Sequence, residues 1–536
     1  MTHYSAQVDG FARAQLPPRS DWPDLIFERP EFHYPERLNC VVELLDRRVA
    51  SGGGERLAVR TPDESLSYAA LLRRVDAIAQ VLTHDLRLVP GNRVLLRGPN
   101  NAWLAAAWLA VVKAGLIAVA TMPLLRAQEL TQVLDKAAVN AALCDARFRA
   151  ELETATRARN LPVLLFNCAE SDALEQRCAR FSEPYAAPET AAEDVALIAF
   201  TSGTTGVPKG TVHFHRDVLA ICDAFPRSVL RASTSDVFCG TPPLAFTFGL
   251  GGLLLFPLRL GATSLLLEKL TPADLLDAID QFGASVCFTA PTFYRQMTPL
   301  AGARKLSSLR RCVSAGEALP LPTRQAWETT TGLRLIDGIG ATEMLHIFIA
   351  AADGDIRPGA TGKVVPGYRA IVVHDDGRPA APGHVGRLAV IGPTGCRYLA
   401  DLRQRDYVRH GWNFTGDAYS VDADGYFWYQ ARTDDMIVSA GYNIAAPEVE
   451  AALLAHPDVA ECAVIGVPDD ERGRIVKAFV VLKNQRLPDG DTTEALQDFV
   501  KQQIAPYKYP RSIEFRDQLP RTETGKLQRF RLREET

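Results

Sequence analysis

The chain has 536 residues, of which 47% are hydrophobic and 23% are charged, and its formal net charge is −4. This length exceeds what one hydrophobic core holds, so we expect several domains of ordinary globular composition. The charge balance leaves no basic footprint, which argues against a nucleic-acid partner. The ten cysteines form no CxxC pair and several lie in apolar runs, which indicates buried, reduced thiols in a cytoplasmic protein.

Two apolar stretches, residues 102–123 and 248–267, have nearly the length of a membrane span. Lys113 and Gly115 interrupt the first, and glycines, a proline and Arg259 interrupt the second. Each stretch therefore predicts a helix, a glycine break and a buried strand, and we expect no membrane span. Residues 1–19 lack the apolar core of a signal peptide, and a proline- and aromatic-rich arm extends to about Leu45.

From Leu57 onward, strand and helix patterns alternate. The predicted strands are 93–96, 116–121, 141–144, 195–200, 284–289, 311–314 and 333–336, and the predicted helices are 102–112, 129–136, 216–225, 291–297 and 322–330. This alternation is typical of an α/β fold with a mostly parallel sheet covered by helices. We expect two such αβ-layered subdomains in the first part of the chain.

The pattern changes twice toward the C-terminus. From Thr361, short β runs separated by Asp-Gly and Gly turns predict a small β barrel or sheet that closes the large domain. Beyond Asp434, two helices and two strands predict a compact α+β domain. We therefore expect an N-terminal domain over 1–433, with its β-rich subdomain at about 361–433, and a C-terminal domain over 434–536.

The segment 200–210, Phe-Thr-Ser-Gly-Thr-Thr-Gly-Val-Pro-Lys-Gly, stands between a predicted strand and a predicted helix. Its glycines allow close approach of the backbone to an anion, its hydroxyls donate hydrogen bonds, and Lys209 adds positive charge. It differs from the Walker pattern because Lys209 is followed by Gly210. We interpret it as a nucleotide phosphate loop, in preference to an ordinary polar turn.

Other polar loops follow predicted strands. Ser314-Ala315-Gly316-Glu317 and the segment from Asp337 to Glu343 both do so, and loops at the carboxyl ends of parallel strands converge on ligands. Thr415-Gly416-Asp417 offers a carboxylate to ribose hydroxyls, and Thr524-Gly525-Lys526 offers a lysine to another domain's site. In isolation, a surface turn explains the first of these two motifs better than a binding role does, and a loose tail explains the second better.

The joint occurrence of these motifs, in this order, resembles the acyl- and aryl-CoA ligases of the adenylate-forming superfamily, from about Arg37 to Arg531. The matching motifs are the segment 201–210, Gly340-Ala341-Thr342-Glu343, Thr415-Gly416-Asp417, Arg432-Thr433-Asp434-Asp435, Tyr507-Lys508-Tyr509-Pro510 and Thr524-Gly525-Lys526. Segments 210–217, 243–251 and 343–348 look like 2-aminobenzoate–CoA ligases, which are related to benzoate–CoA ligases.

The resemblance implies ATP, Mg²⁺ and coenzyme A as ligands and a mobile C-terminal lid domain. It implies catalytic roles for Lys526, Glu343, Thr204 and His215, with Thr204 and Glu343 near the metal. It implies a hinge at Asp434 and a path for coenzyme A at Gly441. The ATP-binding residues it implies are Thr201, Ser202, Gly203, Thr204, Thr205, Gly206, Lys209, Ala315, Gly316, Glu317, Asp337, Gly338, Ile339, Gly340, Ala341, Thr342, Asp417, Arg432 and Lys526.

The acid pocket implied by the resemblance combines an aromatic floor with glycine walls, which suits a flat ring. Its expected lining is His215, Phe248, Gly316, Ile339, Gly340 and His346. For His213 we keep two readings, a site residue or a helix-start residue packed outside. No acidic residue occurs in 245–252, where amino-acid-activating relatives hold an ammonium, so we expect an aromatic acid rather than an amino acid.

Three functions compete. The favoured one is an aryl-CoA ligase, with 2-aminobenzoate ahead of benzoate or another substituted benzoate. The second is a stand-alone adenylation domain that loads a carrier protein. The third, a silent nucleotide-binding scaffold, would require a degraded phosphate loop, Glu343 or Lys526, and all three are intact. Oligomeric state leaves no recognisable signal in the sequence.

Overall fold

The computed structural model describes residues 4–201, 208–374, 376–432, 436–439, 442–469, 472–483, 490–504, 506–521 and 527–536. The strands in these ranges are β1 (Leu57–Arg60), β2 (Ser65–Ser67), β3 (Arg93–Arg97), β4 (Ile117–Thr121), β5 (Ala141–Asp145), β6 (Val163–Phe166), β7 (Val195–Thr201), β8 (Lys209–Phe214), β9 (Val237–Gly240), β10 (Thr263–Leu265), β11 (Val286–Thr289), β12 (Arg311–Ala315), β13 (Leu335–Gly340), β14 (Ile347–Ala350), β15 (Lys363–Val364), β16 (Arg369–Val373), β17 (Gly386–Ile391), β18 (Val408–Arg409), β19 (Trp412–Val421), β20 (Phe427–Arg432), β21 (Met436–Ser439), β22 (Tyr442–Ala445), β23 (Val459–Asp469), β24 (Gly473–Leu482) and β25 (Ser512–Phe515). The longer helices are Tyr68–Gln80, Ala102–Lys113, Ala127–Ala137, Arg149–Thr156, His215–Asp223, Pro272–Phe282, Pro291–Ala301, Leu321–Thr331, Ala446–Leu454 and Gly490–Gln503.

Two large sheets form the N-terminal part of the molecule. One has six strands in the order β6-β5-β3-β4-β7-β8, and only β8 is antiparallel to its neighbour. The other has nine strands in the order β15-β14-β13-β12-β11-β9-β10-β1-β2, with a parallel centre and antiparallel edges. This confirms the predicted α/β alternation.

Helices lie between the sheets and on their outer faces. The helix Ala102–Lys113 is buried along nearly its whole length and shares one core with Val94, Leu96, Phe288 and Val313. Leu95, which alternates with Val94 and Leu96, faces a second core on the outer side. Each fully buried Leu or Val side chain contributes about 1.5–3 kcal/mol to folding, so this shared core ties the two sheets together.

The stretch 102–123 folds as the sequence predicts, into a helix, a break and the strand β4. Lys113 at the helix end is buried, and its Nζ lies 2.6 Å from Asp46 and 2.5 Å from Asp76. Two carboxylates therefore compensate the desolvated ammonium. In the stretch 248–267 the helical part likewise ends at Leu260, and Gly261, at φ +78°, leads into β10. Every helix in the described ranges falls short of the length and apolarity that a membrane crossing requires.

The β-rich region after Thr361 is a five-stranded antiparallel sheet, in which β19 pairs with β17, β18 and β20. The described residues of the C-terminal part combine the β21–β22 hairpin with the three-stranded sheet β23-β24-β25 and three α-helices, Ala446–Leu454, Gly490–Gln503 and Arg529–Glu534. Its own core includes Ile444, Val449, Val464, Val480 and Leu496. All ten cysteines lie in described ranges, and all are free thiols.

Candidate active site

The two residues that the sequence predicts to bind the ribose are paired with each other. Asp417 on β19 lies opposite Arg432 on β20, and the Arg432 Nη1 donates to Asp417 Oδ1 at 3.0 Å and to the Thr415 carbonyl at 3.1 Å. Gly416, next to Asp417, has φ +76°, a conformation that favours glycine, and a Cβ there would lie 2.9 Å from Arg432 Nη2 and displace that side chain. The adjacent Asp417 charge raises the pKa of Arg432 above its ordinary value and keeps the guanidinium charged.

The two predicted adenine-side loops are neighbours. β12 and β13 pair in parallel, with Ser314 opposite Asp337 and Ala315 opposite Gly338, so both loops leave the same edge of the sheet. Burial raises the pKa of Asp337 to about 7, although Arg324 opposes the rise. Glu317 accepts a hydrogen bond of 2.6 Å from the Thr292 hydroxyl. These two neighbouring segments therefore carry one oriented carboxylate, Glu317, and one easily protonated carboxylate, Asp337.

Glu343 lies at the centre of a buried polar cluster. Its side chain is 8% exposed, and its Oε1 accepts a hydrogen bond of 2.5 Å from the Tyr398 hydroxyl. Lys209, from the predicted phosphate loop, places its Nζ 3.3 Å from the same hydroxyl. The structure thus connects two predicted site residues through Tyr398, which sequence reasoning missed. Its only sequence signal was a tyrosine after a Gly-Pro turn.

His213 supports the loop that carries Glu343. It lies in β8, its side chain is fully buried, and its Nε2 donates to the Thr342 carbonyl at 2.8 Å. Its Nδ1 is 3.7 Å from Asp217, which is also paired with the buried Arg397 at 2.8 Å. The alternative of a helix-start residue packed outside is wrong for His213, because the chain is still in the strand there.

Three of the residues predicted to line the acid pocket, Phe248, His346 and Gly340, lie together in the structure. The rings of Phe248 and His346 have centroids 5.7 Å apart, and Phe256 makes an edge contact with His346 at 4.4 Å. The backbone oxygen of His346 would lie 2.8 Å from a Cβ at Gly340, so these two residues are in contact across the turn after β13. Aromatic rings and a bare glycine backbone thus lie together, as a site for a flat ring requires.

His346 is a neutral histidine in this aromatic surrounding. Burial lowers its pKa to about 3, and Nε2 lies 3.4 Å from the Phe248 carbonyl, which can only accept. The proton therefore belongs to Nε2, which leaves Nδ1 as an acceptor. Nδ1 is buried and has no hydrogen-bond partner among the described residues.

His215 lies elsewhere. It begins the helix His215–Asp223, and its Nδ1 accepts a hydrogen bond of 3.2 Å from the Cys40 amide and contacts the Cys40 sulfur. Burial lowers its pKa to about 4. These contacts join His215 to the N-terminal arm, and none of its described hydrogen bonds reaches Phe248 or His346. Its predicted pocket role stays a prediction.

The C-terminal part docks beside the adenine-side loop. Arg521 lies 3.9 Å from Glu317 and 2.7 Å from Glu461, and Arg295 donates to the Ala460 carbonyl at 2.6 Å. Charges from both parts of the chain therefore alternate across this contact. Arg521 precedes Lys526 by five positions in the sequence. Several predicted site residues lie outside the described ranges: Ser202, Gly203, Thr204, Thr205, Gly206, Asp434, Gly441 and Lys526.

A separate cleft of about 1030 Å³ opens beside the carboxyl ends of β1, β3 and β10, and none of the predicted site residues lines it. Its polar groups bond to one another, with Arg147 joined to Asp145 and Glu268 and Asn101 joined to both carboxylates. We do not assign the chemistry to this cleft, since the predicted loops converge elsewhere.

The described residues contain no cluster of three or more His, Cys, Asp or Glu side chains arranged to hold a metal. Glu343 is instead a lone buried carboxylate near a predicted phosphate loop. This donor set fits Mg²⁺, because Mg²⁺ in nucleotide sites is held by one or two carboxylates together with phosphate oxygens and waters.

Comparison with known proteins identifies the family. The AMP-binding enzyme family matches residues 45–398, and the C-terminal domain of AMP-binding enzymes matches residues 448–526. The chain therefore belongs to the AMP-binding enzymes of the adenylate-forming superfamily. Within that superfamily it is an AMP-forming aryl-CoA ligase, an enzyme that binds ATP.

Three relatives support the assignment as an aryl-CoA ligase. Benzoate–CoA ligase of Thauera aromatica is 35% identical over 518 residues, which cover 94% of this chain and 97% of the relative. The crystal structure of the anthranilate CoA ligase AuaEII in complex with anthranoyl-AMP has a TM-score of 0.90 at 33% identity and covers 95% of this chain and 99% of its own. A benzoate CoA ligase from Burkholderia xenovorans LB400 has a TM-score of 0.85 at 31% identity, covering 92% and 100%.

Proposed function

We propose that this ligase joins 2-aminobenzoate to coenzyme A in two half-reactions. In the first, a carboxylate oxygen attacks the α-phosphorus of ATP. The bond between the α-phosphorus and the oxygen that bridges it to the β-phosphorus breaks, and anthranoyl adenylate and pyrophosphate form. In the second, the thiol sulfur of coenzyme A attacks the acyl carbon, AMP leaves, and the thiol proton is released. Negative charge accumulates on phosphoryl oxygens in the first step, so its main requirement is positive charge at fixed positions.

The observation that carries the choice of acid is the unpartnered Nδ1 of His346 beside Phe248. A buried acceptor without a partner costs about 1–3 kcal/mol, and a substrate N–H removes that cost. The amino group of 2-aminobenzoate supplies this donor, and benzoate does not. The group is uncharged at neutral pH, so it requires no carboxylate partner, which agrees with the lack of acidic residues in 245–252.

The remaining roles follow from the family resemblance and from the contacts above. Lys209 and the segment 201–206 hold the polyphosphate, and Glu343 with Thr204 would hold Mg²⁺, which supplies positive charge there. Asp417 and Arg432 hold the ribose. Lys526 supplies a fixed ammonium between the carboxylate and the α-phosphate.

We also propose that the chain is divided into two functional units. Residues 1–433 form the unit that binds ATP and the acid, and 434–536 form a mobile lid with its hinge at Asp434 and the coenzyme A path at Gly441. The buried free thiols agree with a cytoplasmic location.

A panel of acids tests this function. Purified protein is given ATP, Mg²⁺ and one acid at a time, namely 2-aminobenzoate, 4-aminobenzoate, benzoate or 2-hydroxybenzoate, and acid-dependent ATP–pyrophosphate exchange is measured. We expect the highest kcat/KM with 2-aminobenzoate and AMP release that requires coenzyme A. Exchange without consumption of coenzyme A would instead indicate the loading of a carrier protein.

Benzoate is the second candidate, because the relatives from Thauera aromatica and Rhodopseudomonas palustris carry benzoate in their names. It is distinguished by the ratio of kcat/KM values. A benzoate value equal to or above that of 2-aminobenzoate would reverse our choice of acid and leave the assignment as an aryl-CoA ligase intact.

A further inference from the structure

Tyr398 joins two charged residues that belong to different elements. Its hydroxyl donates to Glu343 Oε1 at 2.5 Å and accepts from Lys209 Nζ at 3.3 Å. The ammonium also lies 5.1 Å from the centre of the Tyr398 ring, within the range of a cation–π contact. One fully buried side chain therefore contacts both the carboxylate assigned to the metal and the lysine assigned to the polyphosphate.

The position of Tyr398 is fixed by its backbone. The Arg397 carbonyl accepts a hydrogen bond of 2.8 Å from Val212, and the Leu399 amide donates at 2.8 Å to Gly210, so the segment pairs with the free edge of β8. The Tyr398 amide donates to Gln404 Oε1 at 2.8 Å. A tyrosine held in this way has little freedom to follow a moving partner.

The hydrogen bond between Tyr398 and Glu343 has a defined direction. A carboxylate oxygen accepts, so the phenol hydroxyl donates to Glu343 and leaves its lone pairs for Lys209. It stands between an anion and a cation that would otherwise attract each other directly, and both charges stay available to a ligand.

We infer that Tyr398 is a positioning residue that orients Glu343 for the metal and keeps it apart from Lys209, so that the metal and the polyphosphate bind to a preformed site. This inference rests on the proposed function only where Glu343 is the metal carboxylate. It does not depend on which aromatic acid is used, because none of the Tyr398 contacts described above involves Phe248 or His346.

The test compares Tyr398→Phe with Tyr407→Phe. Tyr407 packs its ring 5.7 Å from that of Tyr398, and its buried hydroxyl has no partner in the described part of the chain, so it controls for the loss of a nearby buried hydroxyl. Binding of Mn²⁺ is measured by electron paramagnetic resonance with the full-length protein, α,β-methylene ATP and no acid. A hydrogen bond to a charged group is involved, so we expect Tyr398→Phe to weaken Mn²⁺ binding about tenfold.

The control Tyr407→Phe should stay within about twofold of the unaltered protein, which corresponds to a few tenths of a kcal/mol. The same measurement in a Glu343→Gln background should show almost no further effect of Tyr398→Phe, because the carboxylate that Tyr398 orients for the metal is already absent. A Tyr398→Phe protein with a lower melting temperature and unchanged Mn²⁺ affinity would overturn the inference.

Failure of the inference and failure of the proposed function are distinguishable. If the unaltered protein binds no Mn²⁺ with the ATP analogue, or if Glu343→Gln binds it equally well, the metal role of Glu343 is wrong and the inference fails with it. If Mn²⁺ binding responds as expected and the acid panel selects another acid, only the choice of 2-aminobenzoate is wrong.

Discussion

The two proposed sides of the site, one for the phosphates and one for the acid, differ in the charge of their buried polar groups. On the proposed phosphate side, Glu343, Tyr398 and Lys209 are charged or hydrogen-bonded to charge. Lys209 lies in β8, and the segment that carries Tyr398 pairs with β8. On the acid side, His346 is neutral and lies among phenylalanine rings. Changes on the phosphate side should therefore slow the chemistry for every acid, whereas changes on the acid side should alter which acid is chosen.

The largest effect is expected at Lys526. Lys526→Ala removes the ammonium that we propose acts at the α-phosphate, and loss of such an electrostatic group costs about 10²–10³ in rate. We expect this loss in adenylate formation, with thioester formation from supplied anthranoyl adenylate nearly unchanged. Single-turnover assays of each half-reaction measure the two rates. Equal loss in both would remove Lys526 from its assigned step.

Glu343→Gln tests whether a change on the phosphate side lowers the rate equally for different acids. We expect acid-dependent pyrophosphate exchange to fall by about 10²-fold with 2-aminobenzoate and with benzoate alike, because the carboxylate acts on the metal and not on the ring. Glu268→Gln is the matched control, since Glu268 also follows a strand end and lines the separate cleft. A loss that differs strongly between the two acids would show that Glu343 also affects the choice of acid, which contradicts the division into two sides.

His346→Phe tests the acid side alone. We expect the preference for 2-aminobenzoate over benzoate to fall about tenfold, which is the value of one buried hydrogen bond, with little change for benzoate. His346→Gln keeps an acceptor and should retain part of the preference. Burial lowers the pKa of His346 to about 3, whereas an ordinary histidine titrates near 6.5. His346 therefore stays neutral between pH 6 and pH 9, and the preference for 2-aminobenzoate should not change across that range. A preference that changes across that range would show that His346 titrates.

The smallest effect is expected where the C-terminal part docks. Glu461→Gln removes a partner of both Arg521 and Arg295. These side chains are partly exposed, so adenylate formation should slow by only about two- to fivefold, more at low salt than at high salt. Arg516→Gln is the control, since its partners Glu514 and Glu535 belong to the same C-terminal part. A salt-independent loss would argue against an ion-pair contact.

The sequence predicted what depends on local pattern. Period-2 and helical spacing identified the alternating layers, and Gly-Asp and Arg motifs identified the pair Asp417 and Arg432, which lie opposite each other in β19 and β20. Phe248 and His346 were also predicted to share a pocket, and they are in contact.

What the sequence did not predict depends on long-range packing. Tyr398 acquires its role only because its segment pairs with β8, far away in the chain, and no local pattern encodes that pairing. The two histidines of 213–215 alternate along the chain, so one residue of register decides which of them meets the Glu343 loop. The structure assigns that contact to His213 and places His215 against Cys40.

The most direct test of the account is a comparison of kcat/KM for 2-aminobenzoate and benzoate in pyrophosphate exchange, made with the unaltered protein, Glu343→Gln and His346→Phe side by side. We predict that the unaltered protein prefers 2-aminobenzoate, that Glu343→Gln keeps this preference at a much lower rate, and that His346→Phe loses the preference while retaining the rate with benzoate. An unchanged preference in His346→Phe, together with an altered one in Glu343→Gln, would contradict the division of the site into a chemical side and a selective side.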